Sequence, residues 1–231
     1  MNTSPAPAVE TSAIAQALPV VRFDQAGRGT LRSLSFALAP GSFHWLTGGP
    51  GKSALLRLMA LAEPPAQGVV QLFGRDLASL SRREAVAIRG RIGAVLAPLA
   101  FIDHWTVWQN AAIGPKVSGR SPDEFAREID AVLRWLGLAK RAAAAPGDLT
   151  AAERFRLALA RAAAGRPELL LIDAPPDGLE PVERERIVKA VHELNAAGAA
   201  VLMVADQAML GGQANLRLHE GRAILTEAAS G

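Results

Sequence analysis

A glycine-rich segment followed by lysine and serine is the part of the sequence best suited to hold a ligand. It lies between a strand-like apolar segment, 42–47, and a segment with helical spacing, 52–62. In that position backbone N–H groups and the N-terminus of a helix face an anion, lysine adds a positive charge, and serine can hold a magnesium ion. The candidate phosphate-binding residues are Gly48, Gly49, Gly51, Lys52, Ser53 and Ala54.

This loop is shorter than a standard phosphate-binding loop. A P-loop reads Gly-x-x-x-x-Gly-Lys-Ser/Thr, whereas here only Gly49 and Pro50 separate Gly48 from Gly51, so the loop is two residues short. At about 3.3–3.6 Å per residue the difference removes up to roughly 7 Å of chain. We therefore expect that the loop cannot wrap a β-phosphate in the usual way, and a tight strand-to-helix turn with an incidental lysine remains an alternative.

An acidic residue at the end of an apolar strand is the second candidate. The segment Leu169–Ile172 is continuously apolar and is followed by Asp173, the form of a Walker B strand, whose aspartate helps to hold magnesium. The sequence thus offers Ser53 and Asp173 as candidate magnesium ligands. Because aspartate is common at strand ends, this feature alone does not identify a site.

Alternating strands and helices predict how these residues are positioned. The segments Leu169–Ile172 and Ala199–Val204 are apolar throughout and are separated by a helical segment, 181–197, which indicates parallel strands covered on both faces. From about residue 106 to 165 the sequence is typical of helices, and 216–226 is typical of a hairpin. The prediction is an α/β sheet domain interrupted by a helical insertion.

Composition limits the classes of protein that fit. The 25 basic and 22 acidic residues leave a net charge of +3, which does not call for nucleic acid as a partner, and the absence of cysteine excludes disulfides and thiolate metal sites. No apolar run reaches the roughly 18–20 residues that cross a membrane, and the N-terminus lacks the pattern of a signal peptide. We predict a tail over 1–18 and one domain over 19–231. The histidines, predicted to be surface or hydrogen-bonded residues, are His44, His104, His192 and His219.

The order of these elements resembles that of ATP-binding cassette (ABC) ATPases, and most closely the FtsE family of cell-division ATP-binding proteins. The resemblance covers about residues 20–219. The stretches that carry it are Gly41-Ser42-Phe43-His44-Trp45-Leu46-Thr47-Gly48, Leu72-Phe73-Gly74-Arg75-Asp76-Leu77, Leu80-Ser81-Arg82-Arg83-Glu84, Arg91-Ile92-Gly93 and Leu133-Arg134-Trp135-Leu136-Gly137-Leu138.

This resemblance implies a fold, cofactors and a partner. The fold is that of a P-loop NTPase with a mostly parallel sheet core, an N-terminal antiparallel β part and a helical insertion subdomain at about 98–165. The cofactors are ATP and magnesium, and the signature residue that contacts ATP of a second copy is Thr150, which allows a homodimer. The partner is an FtsX-like integral membrane protein, and the location is the cytoplasmic face of the inner membrane.

Alanine stands at several positions where the resemblance implies catalytic groups. The glutamine that senses the attacking water corresponds to Ala97, the general-base glutamate to Ala174, and the switch histidine to Ala205. In the signature, Ala151-Ala152 replaces two glycines after Thr150. We therefore predict no catalytic residue and expect ATP hydrolysis to be lost or strongly impaired.

Three aromatic residues in the segment 101–108 are candidates for contact with the membrane partner, because the resemblance places the docking groove beside this segment. We expect Phe101 and Trp105 to be partly exposed and to bind the partner, while Trp108 has helical spacing and equally suits the core. Two other functions remain: an active ATPase subunit of a lipoprotein- or macrolide-type ABC exporter, and a soluble regulatory interaction module.

Overall fold

Two β-sheets and a set of helices form the described part of the chain. The computed structural model describes residues 18–205 and 214–227, so nearly all of the predicted tail lies outside it. The strands are β1 (Val21–Arg28), β2 (Leu31–Leu38), β3 (Phe43–Gly48), β4 (Gln67–Leu72), β5 (Arg75–Asp76), β6 (Ile92–Val95), β7 (Leu169–Ile172), β8 (Ala200–Val204), β9 (Ala214–His219) and β10 (Arg222–Glu227). The α-helices are α1 (Lys52–Met59), α2 (Arg82–Arg89), α3 (Val107–Ala111), α4 (Ile113–Val117), α5 (Pro122–Trp135), α6 (Ala151–Ala164) and α7 (Pro181–Ala196).

The larger sheet has the strand order β10-β9-β3-β8-β7-β6. All neighbouring pairs are parallel except β9 and β10, which form an antiparallel hairpin. The predicted parallel core and C-terminal hairpin are therefore confirmed. Parallel strands bring their carboxyl ends to one edge of a sheet, so residues that follow β3, β6, β7 and β8 meet at the same edge.

Both faces of this sheet are buried, which explains the continuously apolar strands. In β3, Trp45 packs into a core under the helices α3, α5, α6 and α7, while its neighbour Leu46 packs into a second core on the opposite face. In β7, Leu170 packs into the first of these cores and Leu169 into the second. Successive side chains on a strand point to opposite faces, and here each face has its own apolar core.

A smaller antiparallel sheet, with the order β2-β1-β4-β5, lies beside the larger one. The two sheets meet where the β1–β2 turn approaches the β9–β10 turn, and the N–H of Arg32 donates a 2.6 Å hydrogen bond to the carbonyl of Gly221. This contact places the β1–β2 turn close to the glycine-rich loop that follows β3. The antiparallel β part implied by the resemblance is present.

Four α-helices, α3 to α6, follow one another between β6 and β7. Capping boxes start several of the helices, among them α2, with Ser81 and Glu84, and α6, with Thr150 and Glu153. In each, the hydroxyl accepts from the backbone N–H of the glutamate, and the glutamate carboxylate accepts from the backbone N–H of the capping residue. Among the described residues, no helix combines the length and apolar character needed to cross a membrane.

Candidate functional site

The candidate site lies at the carboxyl edge of the parallel strands. The N–H of Asp173 donates to the carbonyl of Val95 at the end of β6 (2.8 Å), and the N–H of Ala205 donates to the carbonyl of Leu46 near the end of β3 (3.0 Å). These two bonds join the chain segments that leave β6, β7, β8 and β3. The glycine-rich loop, Asp173 and the alanines after the strands are therefore neighbours along one edge.

The two candidate magnesium ligands contact each other directly. The Ser53 hydroxyl on the first turn of α1 donates a 3.0 Å hydrogen bond to Oδ2 of Asp173, although 120 residues separate them in sequence. The other oxygen, Oδ1, accepts from the N–H of Ala174 at 3.1 Å. A hydroxyl and a carboxylate held together are oxygen donors of the kind that Mg²⁺ prefers.

The lysine of the loop folds back onto the loop itself. Nζ of Lys52 donates to the carbonyl of Gly48 at 2.8 Å and lies 3.5 Å from the carbonyl of Gly49. Its positive charge is therefore balanced by backbone carbonyl dipoles of its own loop. In this arrangement the ammonium group stabilises a tight turn between β3 and α1.

The glycines of the loop are needed because other backbone approaches them closely. Gly48 has φ +98°, and a Cβ there would lie 2.1 Å from the carbonyl oxygen of Leu218 on β9. At Gly51, with φ +105°, a Cβ would lie 2.9 Å from the Leu31 side chain beyond the β1–β2 turn. The loop is thus enclosed by β9 and by the start of β2.

Few backbone donors of this loop are left for a ligand. The N–H of Gly49 donates to the carbonyl of Leu218 at 2.9 Å, and Pro50 has no N–H at all. The next residue of the site, Ala54, packs its side chain against the core beneath α1. The remaining donors are the N–H of Gly51 and those of the first turn of α1, which have no intrahelical acceptor.

Three methyl groups occupy the positions at which the resemblance implies a catalytic group. Ala97 is exposed, Ala174 is half-buried next to Asp173, and Ala205 is buried behind β8. An alanine side chain can neither accept a proton nor orient water. Hence no general base is supplied at these three positions.

The signature residue Thr150 is separate from this group. Its hydroxyl accepts from the N–H of Glu153 at 3.2 Å, and Oε2 of Glu153 accepts from the N–H of Thr150 at 2.9 Å. That backbone bond is the main reason why the pKa of Glu153 lies below its ordinary value. Within the described residues no hydrogen bond joins Thr150 to the loop or to Asp173, and its hydroxyl is the N-cap of α6.

The aromatic segment forms a loop between β6 and α3. The half-buried Phe101 ring lies beneath two guanidinium groups of α6, at 5.5 Å from Arg154 and 5.3 Å from Arg161. Arg161 also donates to the carbonyl of Ala100 at 2.6 Å. Sequence reasoning missed these arginines; a spacing of seven residues, which places them on one face of a helix, was the available signal.

Trp105 and Trp108 have different environments. Trp105 is half-buried, lies outside the two apolar cores, and has the ammonium of Lys116 at 4.7 Å from its ring centroid. Trp108 packs against the core and donates from Nε1 to Asp130 at 2.8 Å. Phe101 and Trp105 are partly exposed, as expected, but Phe101, like Trp108, packs against the core under α3, α5, α6 and α7.

An apolar groove lies beside this segment. It has a volume of about 670 Å³, and its walls include Val86 of α2 and Ile113 and Val117 of α4. Val86 is 54% exposed and Val117 is 76% exposed, so both side chains are accessible to a partner. Arg161 lines the adjoining part of the same region, so the groove and the Phe101 surface are neighbours.

One histidine differs from the sequence prediction. His44 was expected to be a surface or hydrogen-bonded residue, but it is 7% exposed and its Nδ1 has no hydrogen-bond partner. Its position in the middle of the central strand β3 explains the burial, because β8 and β9 flank it on both sides. Burial lowers its pKa below the ordinary value.

Comparison with known proteins gives the family. The ABC transporter family model matches residues 31–176. The cell-division ATP-binding protein FtsE of Escherichia coli K12 is 35% identical over 179 residues, covering 77% of this chain and 81% of that protein. The methionine import ATP-binding protein MetN 2 of Burkholderia mallei is 32% identical over 216 residues, covering 87% of this chain and 54% of that protein.

The solved structures agree at the level of the fold. A post-hydrolysis dimer of an ATP-binding cassette bound to ADP and phosphate superposes with a TM-score of 0.81 at 22% identity, covering 90% of this chain and 98% of that one. Proteins of this family bind ATP, typically with magnesium. The chain therefore belongs to the ABC transporter ATPase family, and within that family it is similar to the FtsE proteins.

Proposed function

We propose that this chain is an FtsE-like subunit that binds an FtsX-like integral membrane protein in cell division and that has lost, or nearly lost, ATP hydrolysis. The observation that carries the proposal is the enclosed loop. Its lysine donates to the carbonyl of Gly48, and the N–H of Gly49 donates to Leu218. Both groups would have to leave these partners to face a phosphate.

The residues fit a magnesium ion better than they fit a triphosphate. Ser53 and Asp173 provide oxygen donors in contact with each other, and they are the residues that would hold a magnesium ion, whose charge would offset that of a phosphate. The loop offers fewer N–H donors than a full P-loop, because two residues are missing and Pro50 has no N–H. We therefore expect weak phosphate binding at the start of α1 at most.

The expected loss of hydrolysis follows from how much each missing group contributes to the rate. A general base contributes roughly 10²–10⁴-fold to a rate, and Ala174 and Ala205 supply none. Phosphoryl transfer otherwise depends on positioning and electrostatic stabilisation of the transferred group, which requires a loop that holds the phosphates. Because such residues act as a unit, their losses do not simply add, but every one of them lowers the rate.

The docking surface rests on side chains that remain available to a partner. Phe101 and Trp105 are half-buried, and the exposed Val86 and Val117 flank the neighbouring groove. Arg161 and Lys116 add positive charge beside the aromatic rings. These features suit an amphipathic helix with acidic residues from the cytoplasmic part of the membrane protein, so the chain would be peripheral at the inner face of the membrane.

The proposal does not require a homodimer. In the solved post-hydrolysis dimer two copies hold nucleotide, whereas here Ala151-Ala152 replaces signature glycines and Thr150 is engaged as a helix cap. An active exporter ATPase is the second candidate, favoured by the Ser53–Asp173 contact and by the retained Lys52. A soluble regulatory module without a membrane partner is the third.

Two measurements on the purified full chain test these functions. First, phosphate release with ATP and Mg²⁺ is expected at background, and turnover on the order of 1 s⁻¹ would establish the active ATPase instead. Second, affinity capture by the FtsX-like membrane protein of the same organism, reconstituted in nanodiscs, is expected to succeed without nucleotide.

A matched pair of tryptophan variants locates the surface. Trp105→Ala should weaken capture about tenfold or more, since truncation of an aromatic anchor costs about 2 kcal/mol. Trp135→Ala is the control, because Trp135 is 38% exposed on the far end of α5. Absence of capture by the unmodified chain would favour the soluble module. If instead Trp105→Ala lowers the melting temperature by many degrees while its folded fraction binds normally, the docking surface is wrong.

A further inference from the structure

We infer that Asn110 is the positioning residue that holds the aromatic loop in the conformation its partner binds. The inference rests on the proposed function, since it concerns the same docking surface. Asn110 lies on α3 and is completely buried. It is one of three buried polar or charged side chains among residues 18–205 and 216–224, and the other two, His44 and Arg156, lie elsewhere.

The amide of Asn110 is hydrogen-bonded to the loop on all sides. Its oxygen accepts from the N–H of Ile102 at 2.9 Å. Its nitrogen donates to the carbonyls of Ile102, Trp105 and Thr106, at 3.1, 3.3 and 3.0 Å. One side chain therefore joins three residues of the loop to α3.

These bonds determine where the Trp105 ring lies. Buried backbone groups require partners. The carbonyls of Ile102 and Thr106 also accept backbone N–H groups, at 3.0 and 2.9 Å, so the N–H of Ile102 and the carbonyl of Trp105 are the groups that depend on Asn110. The ring itself lies outside both apolar cores. Its position is therefore set by the backbone beneath it more than by packing around it.

Because Asn110 is buried, a partner cannot touch it. Any effect of its substitution on capture must act through the loop. Holding the loop in its bound conformation lowers the entropy lost on binding. Without the amide, the loop samples other conformations, and the partner binds only the fraction in which Phe101 and Trp105 are correctly placed.

Asn195 provides a matched control elsewhere in the fold. Its amide nitrogen likewise donates to three carbonyls, those of Gly41, Ser42 and Ala199. It fixes the turn before β3 and makes no contact with the aromatic loop. Loss of either amide removes a comparable set of hydrogen bonds, but only one set belongs to the docking loop.

The test compares Asn110→Asp with Asn195→Asp in the full chain. Aspartate keeps the size and one acceptor but loses the amide donors. Capture by the FtsX-like protein in nanodiscs is measured per folded molecule, with the folded fraction taken from thermal unfolding. Acrylamide quenching of Trp105 is measured in a background with Trp108→Phe and Trp135→Phe, in which Trp45 also remains but is buried and poorly accessible to acrylamide.

We expect Asn110→Asp to weaken capture about tenfold and to increase quenching of Trp105, with Asn195→Asp changing neither. If Asn110→Asp does not fold, Asn110→Ser is used in its place, and we again expect weaker capture and increased quenching of Trp105. Equal capture per folded molecule for the Asn110 variant and the unmodified chain, alongside weakened capture by Trp105→Ala, would overturn this inference alone. Unchanged capture by Trp105→Ala would instead overturn the proposed docking surface.

Discussion

The hydroxyl of Ser53 donates a 3.0 Å hydrogen bond to the carboxylate of Asp173. This contact joins the start of α1 to the end of β7, and it brings together the two residues proposed as magnesium ligands. In the loop proposed to bind phosphate, Lys52 and the N–H of Gly49 are bonded within the protein. The proposed metal donors are therefore in contact with each other, whereas the loop is closed on itself.

Replacement of Ala174 by glutamate should not restore hydrolysis. Ala174 is half-buried beside Asp173. It stands where the resemblance to the family implies the general-base glutamate. A base without a positioned phosphate has no water to activate productively. We expect phosphate release by Ala174→Glu in ATP and Mg²⁺ to remain at the background of the Ala174→Gln control.

A second variant separates the base from the loop. Insertion of two glycines between Gly49 and Pro50 restores the length of a standard P-loop, and we expect any gain in ATP affinity to require this insertion. Measurable turnover by Ala174→Glu alone would show that the contracted loop still holds ATP, and the geometric argument from Gly48 and Lys52 would then be wrong.

Thr150 should contribute to stability through its cap. Its hydroxyl accepts from the N–H of Glu153 at the start of α6. Loss of such a cap costs about 1 kcal/mol, so Thr150→Ala should lower the free energy of unfolding in urea by about that amount, whereas Thr150→Ser should leave it nearly unchanged. A Thr150→Ala variant as stable as the unmodified chain would mean that the cap hydrogen bond is replaced by water.

Much of the architecture could be predicted from the pattern of apolar residues. The strands Leu169–Ile172 and Ala200–Val204 are continuously apolar because both of their faces are covered. These continuous apolar runs predicted the parallel sheet. The capping boxes at Ser81 and Thr150 were also visible as local spacings. Each of these features depends on neighbours in sequence.

What could not be predicted depends on residues distant in sequence. The contact of Leu218 with Gly48 and Gly49 joins β9 to the loop across about 170 residues of chain, and no local pattern indicates it. The same is true of Asn110, whose buried amide looks like an ordinary polar residue of a short helix. The sequence indicated a shortened loop, but only the fold shows what encloses it.

Burial of His44 should make stability depend on pH. Its pKa in the folded chain lies below the ordinary value of 6.5 because burial disfavours the charged ring. Below about pH 6.5 the unfolded chain therefore binds a proton that the folded chain does not, and the free energy of unfolding falls as pH decreases. We expect this fall in urea titrations between about pH 7 and pH 5.

Substitution of His44 should flatten that profile. His44→Leu removes the titrating ring, and His219→Gln serves as the control because His219 is exposed. The profile of the control should match that of the unmodified chain. An unchanged slope in His44→Leu would assign the pH dependence to other groups.

The buried guanidinium of Arg156 ties three helices together. It is 6% exposed, and its Nη1 donates to the carbonyl of Leu136 after α5 at 2.7 Å. Its Nε lies 3.3 Å from Oε2 of Glu183 on α7, close enough for an ion pair but not aligned for a hydrogen bond. Glu183 also accepts from Arg186 at 2.9 Å. The charge of Arg156 is therefore balanced mainly by one carboxylate.

Glu183→Gln should destabilise the chain by about 3 kcal/mol, the lower end of the range for breaking a buried ion pair, because the Glu183 side chain is 25% exposed. Adding Arg156→Met removes the unpaired charge, so the double variant should lose less stability than the sum of the single changes. Glu185→Gln, exposed on the same helix, should stay within about 0.5 kcal/mol. Urea unfolding followed by circular dichroism measures the unmodified chain, the two single variants, the double variant and Glu185→Gln. Stability of Glu183→Gln equal to that of Glu185→Gln would mean that Leu136 and solvent alone satisfy the Arg156 charge.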